Sequence, residues 1–121
     1  MKKSAHTKLL EKADRALQDW YRAKYPAKKC ESCGAPFELM HHFVEKGRSG
    51  RLRFEKKNLI FICTKCHSLH HVFHDSSIML KITARKGRKW AEELLAMKGE
   101  KGFQLTNEFL ESMVEKYSRS K

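Results

Sequence analysis

The sequence predicts a small α+β domain in which helices flank two short strands and a cluster of four cysteines. Apolar residues recur at helical spacing towards both ends of the chain, and two short apolar runs in its middle have the length of strands. The cysteines form two Cys-x-x-Cys pairs. Because 121 residues are too few for two independent cores, we expect a single domain over residues 1–121.

The first predicted element is an amphipathic helix over residues 5–25, which Pro26 ends. Its apolar residues recur every three or four positions, with charged residues between them. They are Leu9, Leu10, Ala13, Ala16, Leu17, Trp20 and Tyr21. Trp20, like Trp90 further along the chain, lies on an apolar helix face, and we expect both indoles in the core.

A central segment, residues 30–74, contains both cysteine pairs. Its predicted elements are a strand at 37–44, a basic loop at 45–58, a strand at 59–63 and a helix at 64–74. We expect Leu69, Val72 and Phe73 on this helix to face the core.

Residues 75–121 predict a helical extension. Residues 81–98 are first basic and then amphipathic. A last helix begins after Thr106, whose hydroxyl suits an N-cap. Leu105 before the cap and Leu110 after it have the spacing of a hydrophobic staple.

The chain carries a formal charge of +12, from 26 Lys and Arg against 14 Asp and Glu. This excess favours polyanions, either nucleic acid or an anionic membrane, although it could also serve solubility alone. No apolar run approaches the roughly 20 residues that span a bilayer, and the N-terminus lacks a secretory pattern. We therefore expect no membrane partner and a cytoplasmic location.

The cysteines are Cys30, Cys33, Cys63 and Cys66. Disulfides are disfavoured in the reducing compartment that a missing export signal implies. Two Cys-x-x-Cys knuckles supply the four thiolates that structural Zn²⁺ prefers. The long segment between the pairs indicates that further structure is inserted there. Buried or redox-active cysteines without a metal are the alternative.

Histidines are concentrated between and just after the knuckles. They are His41, His42, His67, His70, His71 and His74. His67 and His71 are four residues apart on a predicted helix, and so are His70 and His74, so the spacing leaves both pairs open as metal ligands. His41 and His42 are neighbours on a predicted strand and point to opposite faces, so we expect different roles for them.

The order of these motifs resembles the zinc-braced HNH endonucleases. A Cys-x-x-Cys pair precedes the His-His-Phe run at 41–43, Asn58 follows, and a Cys-x-x-Cys-His-x-x-x-His run ends at His71. The intervals between these positions are similar to those of the DNase colicins and many phage HNH enzymes. The resemblance implies a ββα-metal core (His-Me finger) and metal-dependent hydrolysis of DNA phosphodiester bonds.

By the same resemblance, His41, His67 and His71 would hold one divalent cation. The ion would be Mg²⁺, Mn²⁺, Zn²⁺ or Ni²⁺. Whether His70 or His74 takes the place of His71 is open from the spacing.

The resemblance makes His42 the general base that takes a proton from the attacking water. An imidazole suits this role because its unperturbed pKa is about 6.5. Asn58 would position the loop and His42 through amide hydrogen bonds. An ordinary turn residue is the alternative for Asn58.

The basic loop between the strands is a candidate DNA-binding surface. Its cations are Lys46, Arg48, Arg51, Arg53, Lys56 and Lys57. Beside a phosphodiester site they would bind phosphates, whereas alone they would be solvated surface. The basic run at 81–89 is a second candidate.

The Leu-Arg-Phe-x-x-x-Asn run that ends at Asn58 also resembles phage recombination endonucleases of the NinG/Rap type. The chain departs from them at His41 and His67, where they tend to have Gly and Asn. This resemblance implies a phage or mobile-element protein in a bacterial host, acting on duplex or branched DNA. The sequence leaves the oligomeric state open.

Two non-nuclease alternatives fit parts of the pattern. A non-catalytic zinc-ribbon protein that binds DNA would account for the cysteines and the charge, but not for the histidine cluster. The other alternative is a protein that binds one zinc ion through mixed Cys and His ligands.

Overall fold

The computed structural model describes residues 2–46, 49–98 and 103–119 and has an α+β architecture. Its helices are α1 (Ala5–Lys24), α2 (Gly50–Arg53), α3 (Thr64–His71), α4 (Ser76–Lys86), α5 (Arg88–Lys98) and α6 (Asn107–Ser118), and its strands are β1 (Leu39–His42) and β2 (Leu59–Ile62). The predicted fold class is confirmed, with shorter strands than predicted. Among the described helices, none combines the length and the apolar character needed to cross a membrane.

β1 and β2 form an antiparallel pair in which Met40 faces Phe61. The Gln18 amide of α1 accepts a hydrogen bond from Met40 N at 2.8 Å and donates one to Met40 O at 2.9 Å. Glu31 does the same for Phe61: its carboxylate accepts from Phe61 N at 2.7 Å, and its N–H donates to Phe61 O at 2.8 Å. The sheet edges are thus bound to α1 on one side and to the first cysteine pair on the other.

The main core lies between α1, α6 and the sheet. Its buried residues are Ala13, Leu17, Tyr21, Phe37, Met40, Phe54, Leu59, Leu110 and Tyr117. Thr106 caps α6 as predicted, because its hydroxyl accepts a hydrogen bond from Phe109 N at 3.1 Å. Leu105 and Leu110 both pack in this core, and Trp20 is half-buried at its edge.

A second cluster surrounds the cysteines. Its buried residues are Cys30, Ile60, Ile62, Cys63, Cys66, Ile78 and Ile82. The first knuckle is a tight turn closed by a bridge between Lys29 and Pro36. Gly34 has φ +82°, and its N–H donates to Cys30 O at 3.0 Å. Glycine adopts this backbone conformation without strain, which explains why a glycine follows Cys33.

Residues 45–58 are not the plain basic loop that their composition predicts. Within the described part of this segment lie α2 and a 3₁₀ turn at Lys56–Asn58. Leu52 of α2 is fully buried and packs with Val44 and with Leu94 of α5. α5 therefore holds this segment against the strands.

α3 ends at His71, earlier than predicted. Leu69 packs against the second cluster as expected. The prediction for Val72 and Phe73 is wrong, since they are 65% and 71% exposed. The chain turns after His71, and His74 has φ +53°, so these two residues leave the helix face that meets the core.

The stretch at 81–98 is divided between α4 and α5 at Gly87, which has φ +97°. Trp90 is half-buried beside this break. Its ring lies 4.6 Å from that of Phe43, and its Nε1 donates to Lys57 O at 2.8 Å. Trp90 therefore lies at the rim of the core and connects α5 to residues 45–58.

Candidate active site and zinc knuckle

The four cysteines meet between the two knuckles. Their sulfur atoms lie within 4.8 Å of one another, and Cys33 Sγ is 3.6 Å from Cys63 Sγ. A tetrahedral site with Zn–S bonds of about 2.3 Å requires sulfur atoms about 3.8 Å apart. A disulfide requires about 2.05 Å. The donor set and its spacing therefore fit the predicted structural Zn²⁺.

A backbone N–H group donates to the first cysteine of each knuckle, but the pKa is lowered only for Cys30, whereas burial raises the pKa of Cys63. Ser32 N donates to Cys30 Sγ at 3.4 Å, and Cys66 N donates to Cys63 Sγ at 3.4 Å. Burial raises the pKa of Cys30, but the backbone N–H donors outweigh it and lower this pKa to about 7. Burial raises the pKa of Cys66 to about 12. At neutral pH, Cys66 becomes a thiolate only with a cation bound in the cluster.

Four imidazole rings converge where β1 faces α3. The His41 ring centroid lies 5.3 Å from that of His67 and 5.1 Å from those of His70 and His71. The three histidines of α3 share one face of the helix because they are three and four residues apart. The structure thus brings all three predicted ligands together and adds His70.

The geometry and the resemblance point to different three-histidine sets at this cluster. Ring nitrogens of His41, His70 and His71 lie within 4.8 Å of one another, whereas the resemblance implies His41, His67 and His71. Among the described residues, the adjoining cleft is lined by His67 but not by His70. A catalytic ion needs a coordination position open to the substrate. The set that contains His67 therefore stays our prediction.

Three imidazoles of this cluster, those of His41, His67 and His70, have a lowered pKa. Burial lowers the pKa of His41 to about 3, and the adjacent imidazoles add to the effect. Burial also lowers the pKa of His67 and of His70. Neutral imidazole is the form that binds a metal ion. The donor chemistry therefore fits one divalent cation of the predicted kind.

His42 is held by a main-chain group. Its Nε2 lies 2.7 Å from Arg53 O. A carbonyl oxygen only accepts, so Nε2 carries the proton and Nδ1 keeps a free lone pair. Burial lowers the pKa of His42 to about 4, against the opposing effect of this hydrogen bond. At neutral pH, His42 is therefore a neutral imidazole in a fixed tautomer.

Asn58 is fully buried and bonded on every side. Its Oδ1 accepts from Val44 N at 2.7 Å, and its Nδ2 donates to Val44 O at 2.9 Å and to Leu52 O at 3.1 Å. Its main-chain oxygen accepts from Phe43 N at 2.9 Å. Asn58 thus ties the end of β1 to α2, next to the carbonyl that holds His42. These contacts are those that the predicted positioning role requires, and that role stays a prediction.

The HNH endonuclease family model matches residues 30–73. We call residues 30–73 the HNH segment, because they are similar to this family. It includes the residues with predicted roles in metal binding and catalysis, namely Cys30, Cys33, His41, His42, Asn58, Cys63, Cys66, His67 and His71. The match covers less than half of the chain, and no curated protein or solved structure matches the chain significantly.

A cleft of about 530 Å³ opens beside the HNH histidines. From the HNH segment, it is lined by Leu39, Met40, His41, His42, Glu45, Lys46, His67 and His71. Gln18 of α1, outside the segment, completes the lining. The predicted general base and the predicted ligands therefore face the same space.

The basic residues of the HNH segment differ in their exposure and in their ion pairs. Lys46 borders the cleft, is 46% exposed and lies 3.7 Å from the Asp14 carboxylate. Lys56 is exposed, Arg51 pairs with Glu55 at 3.6 Å, and Lys57 pairs with Glu93. Arg48 lies outside the described residues.

Arg53 is placed differently from the prediction. Its guanidinium forms two hydrogen bonds with Asp14, at 3.1 and 2.5 Å, and its side chain is 12% exposed. A bidentate, largely buried ion pair leaves little of the guanidinium for a phosphate. We therefore revise Arg53 from a phosphate contact to a structural contact between α1 and α2.

Sequence reasoning missed Asp14 and Gln18, the two α1 residues at this site. Both are among the many charged and polar residues that lie between the apolar positions of the helix sequence. Their partners are far along the chain: Arg53 is 39 positions from Asp14, and Met40 is 22 positions from Gln18. No short-range sequence pattern therefore identifies Asp14 and Gln18 as residues of this site.

The choice of ligand set gives a first prediction. We expect His67→Ala to weaken divalent-ion binding at the histidine cluster more than about 10-fold, since loss of a ligand should cost at least as much as loss of a supporting contact. His70→Ala should change this affinity less, and calorimetric titration of zinc-loaded protein would measure both. The reverse order would give His70 the ligand role.

Proposed function

We propose that the chain is a metal-dependent endonuclease that hydrolyses phosphodiester bonds in DNA. The observation that carries the proposal is a neutral His42, fixed by Arg53 O, in the same cleft as the imidazole cluster. The match of residues 30–73 to a family of endonucleases supports it. DNA is the substrate that this family implies.

In the proposed mechanism, His42 accepts a proton from the attacking water at Nδ1. Its Nε2 proton is engaged by Arg53 O, so Nδ1 is the nitrogen with a free lone pair. The low pKa of His42, about 4, keeps this lone pair available. A bound phosphate anion raises the pKa again, because a nearby negative charge favours the imidazolium that forms.

His41, His67 and His71 would hold the divalent cation. When bound, this ion stabilises the negative charge that develops on the phosphate and on the leaving oxygen. The chain's own part is to supply three imidazoles from β1 and α3 and to leave the cleft side open. Mg²⁺, Mn²⁺, Zn²⁺ and Ni²⁺ are the proposed ions.

The direct test is cleavage of supercoiled plasmid by the purified zinc-loaded protein. We expect nicked or linear products with Mg²⁺, Mn²⁺ or Ni²⁺ and none with EDTA. DNA binding without cleavage under every one of these ions would contradict the proposal. That result would favour the alternative, a non-catalytic zinc-ribbon DNA-binding protein.

The exposed lysines at positions 46 and 56 give a second prediction. Because Lys46 and Lys56 are exposed, we expect Lys46→Ala/Lys56→Ala to weaken binding to all DNA sequences. The slope of log affinity against log salt should become shallower by about 0.9 per lost phosphate contact. Titrations of a labelled duplex at several salt concentrations would measure the slope. Lys116→Ala on α6 is the matched control, and an equal change in that variant would contradict a DNA-binding role specific to Lys46 and Lys56.

A narrower proposal concerns the biological setting. The resemblance to recombination endonucleases supports a phage or mobile-element protein that acts on branched DNA in the cytoplasm of a bacterial host. We expect faster cleavage of a four-way junction than of the matching linear duplex. Equal rates on both substrates would remove the branched-DNA part of the proposal.

A further inference from the structure

Asp14 lies on α1, outside the segment matched by the HNH model. Its carboxylate is only 17% exposed and meets two cations. Arg53 binds it in a fork, with Nε 3.1 Å from Oδ1 and Nη2 2.5 Å from Oδ2. Lys46 Nζ lies 3.7 Å from Oδ2. A bidentate pair fixes the orientation of the guanidinium as well as its distance.

Arg53 links this pair to the catalytic centre through its main chain. The Arg53 carbonyl oxygen is the group that accepts the hydrogen bond from His42 Nε2, at 2.7 Å. Arg53 is the last residue of α2, which has only four residues. So short a helix has little rigidity of its own. The position of the carbonyl therefore depends on what holds α2 from outside.

In addition to the packing of Leu52 against Leu94, two polar contacts between described residues hold α2 near His42. Asn58 Nδ2 donates to Leu52 O at 3.1 Å, and Asp14 holds the Arg53 side chain. α1 is itself bound to β1 through Gln18 and Met40. The helix that carries Asp14 and the strand that carries His42 are thus joined directly, and Arg53 connects them a second time.

We propose that Asp14 is a positioning residue for the general base and acts through Arg53. The inference rests on the proposed nuclease function, because it assigns His42 that role. Asp14 restrains the Arg53 guanidinium, the restrained residue holds its own carbonyl in place, and the carbonyl fixes the ring and tautomer of His42. An error of about 1 Å in a catalytic group can cost up to about 10²-fold in rate.

This role differs measurably from a contribution to DNA affinity. Removal of the Asp14 charge would release Arg53 and Lys46 from a carboxylate beside the cleft, which adds to the local positive charge. We therefore expect Asp14→Asn to lower kcat about 10-fold without raising KM for DNA. A residue that only binds substrate would raise KM instead.

The test measures kcat and KM for Asp14→Asn, Arg53→Lys and the double variant. Arg53→Lys keeps the positive charge but loses the fork, so it tests the same link if Asp14→Asn fails to fold. Because both residues act in one chain of contacts, the double variant should lose no more than the worse single variant. Asp19→Asn is the matched control: Asp19 is on the same helix, and its ion pair with Arg22 is exposed.

A second readout does not depend on cleavage. Long-range nitrogen–proton NMR of the imidazoles in zinc-loaded protein should show His42 as the Nε2–H tautomer, with slow proton exchange. Exchange should become faster in Asp14→Asn and in Arg53→Lys, but not in Asp19→Asn. This measurement stands even if the wild type cleaves no DNA, a result that would contradict the proposed function separately.

Three results would overturn the inference. The first is a wild-type kcat with wild-type imidazole exchange in Asp14→Asn. Additive losses in the double variant would show that the two residues act independently. A higher KM with unchanged kcat would assign Asp14 to substrate binding.

Discussion

We expect His42→Ala to lose about 10²- to 10⁴-fold in the rate of DNA cleavage, the range for removal of a general base. It should keep the zinc knuckle, the divalent ion at the histidine cluster and near-normal DNA affinity. The reason is geometric: His42 is bonded to Arg53 O, whereas His41 meets the rings of α3. Single-turnover cleavage, metal analysis and binding to uncleaved duplex would measure the three properties.

His42 is buried, so its truncation leaves a small cavity and an unpaired carbonyl at Arg53. His42→Asn is therefore the second variant, because its amide can still donate a hydrogen bond but is no base at neutral pH. His6→Ala is the control, since His6 is exposed and bonds to Asn107 at the start of α6. Wild-type cleavage by His42→Ala, together with metal retention by His41→Ala, would show that the two roles are reversed.

The features that the sequence predicted are those determined by short intervals. The turn of the first Cys-x-x-Cys pair requires only neighbouring residues and Gly34 at positive φ. His67 and His71 share a helix face by spacing alone. Thr106 caps α6 through the N–H three residues on. In each case, residues that are close together in the sequence determine the local structure.

The features that it missed depend on packing between distant segments. Composition makes residues 45–58 a basic loop, yet Leu52 is buried because α5 brings Leu94 against it. Helical periodicity places Val72 and Phe73 on the core face of α3, but it does not show that the helix stops at His71.

Arg53 shows the same limit at the candidate site. Its charge predicted a phosphate contact, and its true partner, Asp14, is a residue of α1 that no local pattern singles out. Local spacing therefore predicted which residues lie together at the candidate site, but not the contacts that orient them. The HNH family model does not include this contact either, because its match begins after α1.

The zinc knuckle is expected to determine whether the chain folds, and Cys33 is the sharpest position for a test. Cys33 is the one exposed member of the four-cysteine cluster. An exposed side chain without a special contact usually tolerates Cys→Ser within about 0.5 kcal/mol. If Cys33 is a zinc ligand, its replacement should lower the free energy of unfolding by several kcal/mol, because structural Zn²⁺ contributes about 10–16 kcal/mol in small zinc domains.

We therefore expect Cys33→Ser to bind no stoichiometric zinc and to be largely unfolded at 25 °C by circular dichroism. A chelator should unfold the wild type in the same way, and added Zn²⁺ should restore the wild type but not the variant. Cys63→Ser strengthens the test, because serine is itself a good N-cap for α3. If Cys63 serves only as a cap, this variant should stay folded. Folded, zinc-free Cys33→Ser and Cys63→Ser would show that packing around Ile60 and Ile62 suffices without the metal.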